Sequence, residues 1–244
     1  MSPCYHDFFR ANVVGTRNVC KLAFIKRVRR FIHVSSIDVH GPIPRHLIPI
    51  SEDHPLNPTE SYEKTKAQAE KIVRWYADQG LPIIILRPAY VYGPGDRGYF
   101  HPLIQMIHQL PFIPLLAAGR ALKHLICIDD LIRALELSLS KGKLGGIYFV
   151  GEHYPITIRE ILALLCRAFS IRKPFINLPL TAKQASIMSY FLPSYMRYFL
   201  AWFYKNYGCR IDAIKRDMDF NPSITLEQVL FRSPPNTIYL GGNN

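Results

Sequence analysis

The chain has 244 residues, of which 49% are hydrophobic and 20% are charged. This composition is typical of one globular domain, or of a domain with a small lobe, and excludes a disordered or fibrous protein. The formal net charge of +12 would suit nucleic acid, an anionic membrane surface or phosphate-bearing substrates, with simple solubility as the plain alternative.

The spacing of the cysteines and the N-terminal sequence indicate the cellular compartment. The five cysteines are scattered, and none forms a Cys-x-x-Cys pair or a cluster with zinc spacing. We therefore expect reduced thiols, a cytoplasmic protein and no metal site. The N-terminus lacks the basic start and apolar core of a signal peptide.

The most apolar stretch, residues 187–204, is interrupted by Pro193 and Arg197, so a membrane-spanning helix is not expected. Its aromatic and basic residues leave peripheral membrane contact as an alternative. We favour burial of one face of this stretch against its own domain.

The predicted elements begin with a helix over residues 5–27 and a strand from Phe31 to Ser35. A polar loop leads to a second helix, for which Asn57 is the expected N-cap and Glu60 completes a capping box. This helix is expected to end near Asp78, before Gly80.

Strands and helices continue to alternate after Gly80. "PIIILRP" is a continuous apolar run, typical of a strand buried on both faces of a parallel sheet. We then expect a helix at 101–109, a strand at 124–128, a helix opened by Asp129 or Asp130, and a strand "GIYFVG". Capping boxes at 157–160 and 225–228 predict two later helices.

The alternation indicates an α/β fold with a partial doubly wound parallel sheet. Residues 1–150 form the predicted core, and residues 151–244 form a smaller, mostly helical C-terminal lobe. Residues 93–125 are expected to add a loop to the substrate site.

Tyr62 and Lys66 lie four residues apart on the second predicted helix, so they share a face. With 14 Tyr and 12 Lys in the chain, about one such pair is expected by chance. The pair becomes significant through its position in the predicted fold. Ser36 follows the preceding strand, and ligands bind beyond the carboxyl ends of strands in open α/β sheets.

These residue types suit proton transfer. A free phenol has a pKa of about 10, which a nearby ammonium lowers. Tyr62 can then exchange a proton with a hydroxyl or carbonyl oxygen that the Ser36 hydroxyl holds. The accompanying hydride transfer requires a nicotinamide cofactor.

Seven segments, in order along the chain, resemble one family. They are "NVVGTRNV", "VSSIDVHG", "YEKTK", "LRPAYVYGPGD", "ICIDDLIRALELSL", "YPITIREIL" and "DAIKRDMDFNPSITLEQ". The chain resembles the extended short-chain dehydrogenases/reductases, in the branch of NAD-dependent epimerases/dehydratases and 3β-hydroxysteroid dehydrogenases. The resemblance implies a Rossmann-like sheet, NAD or NADP as cofactor and a small-molecule substrate, sterol-like or a nucleotide-sugar.

The resemblance also implies residue roles. Tyr62 would be the catalytic acid/base, Lys66 would lower its pKa and bind the nicotinamide ribose, and Ser36 would bind the reacting oxygen. Asn12 would support the proton relay. The remaining residues expected beside the cofactor are Ser35, Pro88, Ala89 and Val91.

The chain departs from the family pattern in several places. His40 replaces a usual tyrosine, and Asp219 replaces a usual glycine. The larger departure is that no Gly-x-x-Gly-x-x-Gly turn occurs, which suggests that two to three βαβ units are missing and that cofactor binding is impaired.

Three functions remain open from the sequence. The first is a 3β-hydroxysteroid dehydrogenase-like oxidoreductase acting on a secondary alcohol or ketone. The second is a nucleotide-sugar epimerase or dehydratase. The third is an N-terminally truncated fragment with little or no activity. No nucleic-acid partner is expected, and a homodimer remains an alternative to a monomer.

Overall fold

The computed structural model describes residues 5–96, 98, 100–181, 184–185, 187 and 200–232. Its first helix, α1, runs through Tyr5–Phe8, a π-helical segment Phe9–Val14 and Gly15–Ile25. Further helices are α2 (Ser61–Asp78), α3 (Phe100–Gln109), α4 (Ile128–Ser138), α5 (Ile158–Ala168), α6 (Asp212–Met218) and α7 (Leu226–Arg232), and residues 200–204 are also helical.

Nine strands lie within these ranges. They are β1 (Phe31–Val34), β2 (Ile83–Pro88), β3 (Tyr90–Tyr92), β4 (Ile113–Leu115), β5 (Leu122–Lys123), β6 (Leu125–Cys127), β7 (Ile147–Val150), β8 (Ile156–Thr157) and β9 (Phe175–Asn177). Short 3-10 turns lie at Ile37–His40, Arg45–Leu47 and Ala117–Gly119.

The central sheet has the order β1-β2-β7, and both pairings are parallel. Phe31 lies opposite Ile83, and Ile85 lies opposite Ile147. Every residue of β2 is buried, which confirms the strand predicted from "PIIILRP". Within the described ranges β1 pairs on one side only, so it forms an edge of the sheet.

Helices cover both faces of this sheet. On one face α1 and α2 pack through Cys20, Ala23 and Val73 against Ile83 and Ile85. On the other face, Ile84 and Leu86 belong to a larger apolar cluster that continues into α5 and α6. The sequence prediction of an α/β fold with a Rossmann-like parallel sheet is therefore confirmed.

The second half contains more strand pairing than the sequence suggests. Strands β3 and β6 pair in parallel, and so do β4 and β9. Strands β5 and β8 pair antiparallel. These strands have two or three residues each, too few to show a period of two. Their apolar residues join the same cluster as the central sheet, and the domain boundary at residue 150 stays a prediction.

Two capping predictions are wrong. The N-cap of α2 is Glu60 rather than Asn57, because the Glu63 carboxylate accepts bonds from the backbone N–H groups of Thr59 and Glu60. Helix α4 begins at Ile128 with Cys127 as its N-cap, so neither Asp129 nor Asp130 opens it, and the Asp130 carboxylate accepts bonds from the N–H groups of Ser223 and Ile224. The capping boxes at Thr157–Glu160 and Thr225–Gln228 are confirmed.

The cysteines and the apolar stretch complete the fold. Cys20, Cys127, Cys166 and Cys209 are free and buried. Residues 188–199 of the apolar stretch lie outside the described residues, whereas residues 201–203 are buried. Among the described helices, none combines the length and apolar character that crossing a bilayer requires.

Candidate active site

Ser36, Tyr62 and Lys66 come together at the carboxyl end of β1. Ser36 follows that strand and caps the 3-10 turn Ile37–His40, while Tyr62 lies in the first turn of α2. Lys66 is one turn further along α2, with its ammonium 5.9 Å from the centroid of the Tyr62 ring. The predicted trio is thus brought together by one strand end and one helix face.

The Ser36 hydroxyl is shared between two neighbours. It donates to the Asp38 carboxylate over 3.1 Å and accepts from the backbone N–H of Asp38 over 3.2 Å. It also lies near the Tyr62 phenol, and this proximity acts to lower the pKa of Tyr62. Ser36 is only 8% exposed, so these contacts are made largely away from water.

The pKa of Tyr62 is not lowered in this structure. Burial of the phenol and the charge of Asp38 raise its pKa to about 12, and the nearby Ser36 hydroxyl offsets this only in part. The Lys66 ammonium donates to the carbonyl of Val34 over 2.9 Å, and the expectation that it lowers the pKa of Tyr62 stays a prediction. Tyr62 is therefore held protonated at neutral pH.

Lys66 is placed to hold a hydroxylated ligand. Its ammonium has three N–H donors, and one of them is used by Val34. Burial lowers the pKa of Lys66, while the charge of Glu70 raises it. The remaining donors fit the ribose hydroxyls of a nicotinamide nucleotide, the role implied by the family resemblance.

Asn12 is hydrogen-bonded to α2, and its expected part in a proton relay stays a prediction. Its amide donates to the Thr65 hydroxyl over 3.0 Å, and that hydroxyl donates to the backbone carbonyl of Tyr62. Asn12 lies in the π-helical part of α1, a local irregularity that is frequent at functional sites. Its direct contact is thus with the turn of helix that carries Tyr62.

Ser35 belongs by its contacts to a buried ion pair. Its hydroxyl donates to Glu70 over 2.6 Å, and Glu70 forms a two-pronged pair with Arg87 over 2.9 and 2.7 Å. Arg87 also contacts His40, which is 1% exposed and whose pKa burial lowers to about 4. These contacts do not support the expected cofactor role of Ser35, and they place His40 in the core.

Pro88, Ala89 and Val91 lie where β2 ends and β3 begins. Pro88 is buried, and the Ala89 N–H donates to the carbonyl of Val150. Val91 is 37% exposed, which leaves an apolar side chain beside the strand ends. Their role beside a nicotinamide stays a prediction.

Most residues that line the cavity beside Tyr62 were not predicted from the sequence. This cavity has a volume of about 40 Å³ and is lined by Asp38, Glu60, Tyr62, Glu63, Tyr90, Ala201, Trp202, Lys205 and Tyr207. Asp38 follows Ser36 by two residues, so it could have been proposed from the sequence. The residues from 201–207 had no such signal, because only the folded chain brings them to α2.

Asp38 is a titrating group in direct contact with Ser36. Its carboxylate also accepts from the Tyr90 hydroxyl over 3.1 Å. Burial and the charge of Glu63 raise its pKa to about 6, while the bonds from Ser36 and Tyr90 oppose this shift. The candidate site therefore contains a group that changes charge just below neutral pH.

Lys205 and Lys123 both lie beside the cavity at Tyr62, but they make different contacts. Lys205 lies 3.1 Å from Glu60 and 3.9 Å from Glu63, closing the cavity by ion pairing. Lys123 is fully buried, with its ammonium 5.1 to 5.6 Å from the ring centroids of Tyr90, Trp202 and Tyr207. Burial holds the pKa of Lys123 well below its usual range.

These residues fit only part of a nicotinamide dinucleotide. The Lys66 donors and the apolar residues near the end of β2 suit the nicotinamide riboside. The whole sequence has no Gly-x-x-Gly-x-x-Gly turn to surround a pyrophosphate with backbone N–H groups.

Curated proteins of known activity are similar in sequence to this chain. A ketoreductase of Stigmatella aurantiaca, named for a farnesylated quinoline oxide, is 31% identical over 74% of this chain and 54% of its own. A dTDP-glucose 4,6-dehydratase of Haemophilus influenzae is 25% identical over 92% of this chain and 68% of its own. The chain thus spans about half the length of the ketoreductase.

A solved structure shows the same fold. The dTDP-glucose 4,6-dehydratase of Bacillus anthracis, in complex with NAD, superposes with a TM-score of 0.75 at 20% identity, covering 96% of this chain and 70% of its own. A family model described as the NAD dependent epimerase/dehydratase family matches residues 5–151, which is more than half of the chain. The chain therefore belongs to the NAD-dependent epimerase/dehydratase family, whose members are enzymes.

Proposed function

We propose that this chain carries the proton-transfer half of an NAD(P)-dependent oxidoreductase acting on a secondary alcohol or ketone. The single observation that carries the proposal is the convergence of the Ser36 hydroxyl, the Tyr62 phenol and the Lys66 ammonium at the carboxyl end of β1. A nicotinamide, when bound, supplies or accepts the hydride. The chain's own residues then handle the proton.

The raised pKa of Tyr62 favours one direction of proton transfer. A phenol held protonated can donate to a ketone oxygen as negative charge develops there during reduction. The Ser36 hydroxyl donates to Asp38 in this structure, so it would leave that carboxylate in order to donate to the same substrate oxygen. In the oxidative direction Tyr62 must first lose its proton, so oxidation is expected to require a higher pH than reduction.

The charges around the cavity favour an uncharged substrate, of the 3β-hydroxysteroid type. Asp38, Glu60 and Glu63 contribute three carboxyl groups to its lining, and Lys205 is ion-paired with two of them. A diphosphate would meet these carboxylates, whereas a polycyclic alcohol would meet the rings of Tyr90 and Trp202. The similarity to a ketoreductase supports the same type of reaction.

A nucleotide-sugar epimerase or dehydratase is the second candidate. The observation that favours it is the match to a dTDP-glucose 4,6-dehydratase over 92% of this chain. On a sugar, the same Ser36, Tyr62 and Lys66 would act on a ring hydroxyl. The net charge of +12 would attract its diphosphate.

The cavity must open before either substrate enters. A volume of about 40 Å³ holds only a few water molecules. The segment that carries Ala201, Trp202 and Lys205 therefore has to move away from α2 on binding. Peripheral membrane contact through 187–204 and a homodimer remain proposals from the sequence.

The test supplies a sterol-type 3-ketone with millimolar NADH or NADPH, or a dTDP-sugar with millimolar NAD or NADP, and follows nicotinamide absorbance. Epimerisation leaves that absorbance unchanged, so sugar products are also separated by chromatography. We expect ketone reduction, with Tyr62→Phe lowering the rate by about 100-fold or more. Ser36→Ala should lower it less.

Tyr5→Phe is a matched control, because this exposed tyrosine lies on α1 away from the cavity lining. Equal rates for the wild type and Tyr62→Phe would refute the proposed role of Tyr62. Conversion of the dTDP-sugar without reduction of the ketone would replace the first candidate by the second.

A further inference from the structure

The Asp38 carboxyl lies between two hydroxyl groups, those of Ser36 and Tyr90. Its Oδ2 accepts from the Ser36 hydroxyl over 3.1 Å, and its Oδ1 accepts from the Tyr90 hydroxyl over 3.1 Å. All three side chains are buried, since Asp38 is 9% exposed, Ser36 8% and Tyr90 7%. Each oxygen of this buried carboxyl therefore has its own hydroxyl partner.

Charged groups face Asp38 from the elements that pack around it. Burial and the charge of Glu63 on α2 raise the pKa of Asp38 to about 6, while the charge of Lys123 on β5 opposes this shift. Lys205 lies at the rim of the cavity, where it is ion-paired with Glu60 and Glu63. Asp38 is therefore present in both charge states between about pH 5 and pH 7.

The charge of Asp38 determines which atom receives the Ser36 proton. A serine hydroxyl has one proton to donate and two lone pairs that accept. Beside a charged Asp38 the Ser36 hydroxyl donates that proton to Oδ2, while one lone pair accepts from the backbone N–H of Asp38 over 3.2 Å. The Ser36 proton is then not available to a substrate oxygen.

Protonation of Asp38 reverses the direction of this hydrogen bond. The Tyr90 hydroxyl donates to Oδ1, so an added proton belongs on Oδ2, the oxygen that faces Ser36. Oδ2 then donates to the second lone pair of the Ser36 oxygen, and the Ser36 proton is available to a substrate. Tyr62 keeps its own proton in both cases, because burial raises its pKa to about 12.

We propose that Asp38 is a positioning residue that leaves the Ser36 hydroxyl free to donate to the substrate oxygen only when Asp38 is protonated, and that Tyr90 directs this proton to the oxygen facing Ser36. The inference rests on the proposed function, because it concerns the oxygen on which Ser36 and Tyr62 act. Below about pH 6 both residues can donate to that oxygen, and above it Tyr62 alone does.

The variant Asp38→Asn imitates the protonated state at every pH. An amide has an acceptor oxygen and an NH₂ donor in place of the two carboxyl oxygens. With its oxygen bonded to the Tyr90 hydroxyl, the amide donates to the Ser36 oxygen and leaves the Ser36 proton free. This variant thus removes the pH dependence of the Ser36 donor without removing the donor.

The first measurement is the rate of ketone reduction between pH 5 and pH 8, with a sterol-type 3-ketone and millimolar NADH or NADPH. With Asp38 in place, Ser36→Ala should lower the rate about tenfold or more at pH 5 but less than about threefold at pH 8. In the Asp38→Asn background, Ser36→Ala should cost about tenfold at both pH values. Asp53→Asn is the matched control, because that carboxyl is exposed, and it should behave as the wild type.

The second measurement requires no turnover. Carbon-13 NMR follows the titration of the Asp38 carboxyl, whose signal is assigned by its loss in Asp38→Asn. The Ser36 β-carbon resonance should shift with the same midpoint, about pH 6. Tyr90→Phe keeps the ring against Trp202 and Tyr207 but removes a hydrogen bond to the charged carboxyl, so it should raise the midpoint by about 1 pH unit.

Both measurements can overturn the proposal. An Asp38 carboxyl that titrates below pH 5, or a Ser36 resonance that does not follow it, would show that Asp38 does not control the hydroxyl. An equal cost of Ser36→Ala at pH 5 and pH 8 would show the same, and an unchanged midpoint in Tyr90→Phe would overturn the role of Tyr90. A chain that titrates as expected but reduces no ketone would refute the proposed reaction while supporting the control of Ser36 by Asp38.

Discussion

Asp38 and Tyr62 lie in one small buried region, so the protonation of one affects the other. The charge of Asp38 raises the pKa of Tyr62, and the Ser36 hydroxyl lies close to both groups. The pKa of Asp38 is itself raised to about 6. Proton transfer at this site is therefore expected to depend on pH through Asp38 as well as through Tyr62.

We predict that Asp38→Asn alters the pH dependence of stability. The folded-state pKa of Asp38, about 6, is higher than its usual 3.8, so the folded state binds the proton more tightly than the unfolded state does. The resulting stabilisation is present below about pH 4 and is lost as the pH rises through 6. Relative to Asp38→Asn, the wild type should lose roughly 2 to 3 kcal/mol between pH 4 and pH 7.

Urea unfolding across this pH range measures the difference in the free energy of unfolding between the wild type and Asp38→Asn. The contributions of the other titrating groups largely cancel in this difference. Asp53→Asn is the control, because that carboxyl is exposed. A wild-type curve parallel to that of Asp38→Asn would contradict the raised pKa. At the same time, loss of the Asp38 charge should lower the pKa of Tyr62.

At the scale of elements, α2 is positioned by a turn that only glycine allows. Gly41 has a φ of +63°, and a Cβ at this position would lie 2.0 Å from the backbone oxygen of Asn57. The loop of Asn57 leads directly into α2. The backbone of Gly41 approaches that of Asn57 closely, four residues before α2 begins at Ser61. The position of Tyr62 in α2 therefore depends on this approach.

We predict that Gly41→Ala destabilises the fold more than Gly80→Ala does. Gly80 also has a positive φ, +97°, but nothing lies within 4 Å of its added Cβ. Gly80→Ala should cost about 1 kcal/mol of backbone strain, whereas Gly41→Ala adds a clash to that cost. Thermal or urea unfolding of both variants measures the two costs, and equal costs would contradict the role of the close approach.

The Glu70–Arg87 pair connects α2 to β2 inside the protein. Its 2.7 Å contact joins side chains that are 0% and 1% exposed. We predict that Glu70→Leu or Arg87→Met alone destabilises the fold by about 3 to 5 kcal/mol, because each leaves a buried charge unpaired. The double variant should recover much of that loss.

Denaturation of the wild type, the two single variants and the double variant forms a complete thermodynamic cycle. Additive losses would show that the two side chains do not act as a pair. The pH adds a second check: pairing with Arg87 outweighs burial and lowers the pKa of Glu70, so its stabilisation should disappear as the pH falls below the usual value of about 4.5.

Local patterns explain which elements could be predicted. The helices α2 and α5 and the strand β2 show their period and capping in consecutive residues, so the sequence indicates them directly. The pairs β4–β9 and β5–β8 join segments more than 30 residues apart, and no local pattern specifies that pairing. Lys205 and Tyr207 could not be predicted as site residues for the same reason, because they lie far along the chain from Tyr62. Ser36, Tyr62 and Lys66, by contrast, lie within 31 positions of one another.

At the scale of the whole molecule, the second half of the chain closes the site formed by the first half. The Tyr207 hydroxyl donates to Glu63 over 3.2 Å, and the Lys205 ammonium pairs with Glu60. The backbone carbonyl of Lys205 accepts from the buried Lys123. Opening the cavity for a substrate therefore breaks contacts that also hold the two halves together.

The affinity of the chain for NAD or NADP depends on how much of the cofactor-binding site its residues provide. The nicotinamide side has Lys66 and the end of β2, but the sequence offers no glycine-rich turn for a pyrophosphate. We predict that NAD and NADP bind with a Kd on the order of 1 mM or weaker, measured by isothermal titration calorimetry. Nicotinamide riboside, which lacks the pyrophosphate and adenosine, should bind about as well as NAD.

This comparison separates a weak site from an absent one. If Lys66 holds the ribose, Lys66→Met should weaken binding of NAD and of nicotinamide riboside by the same factor. Lys64→Met, on an exposed side of the same helix, is the matched control. Micromolar binding of NAD with no binding of the riboside would show that the pyrophosphate has a binding site despite the missing glycine turn, and would contradict the prediction.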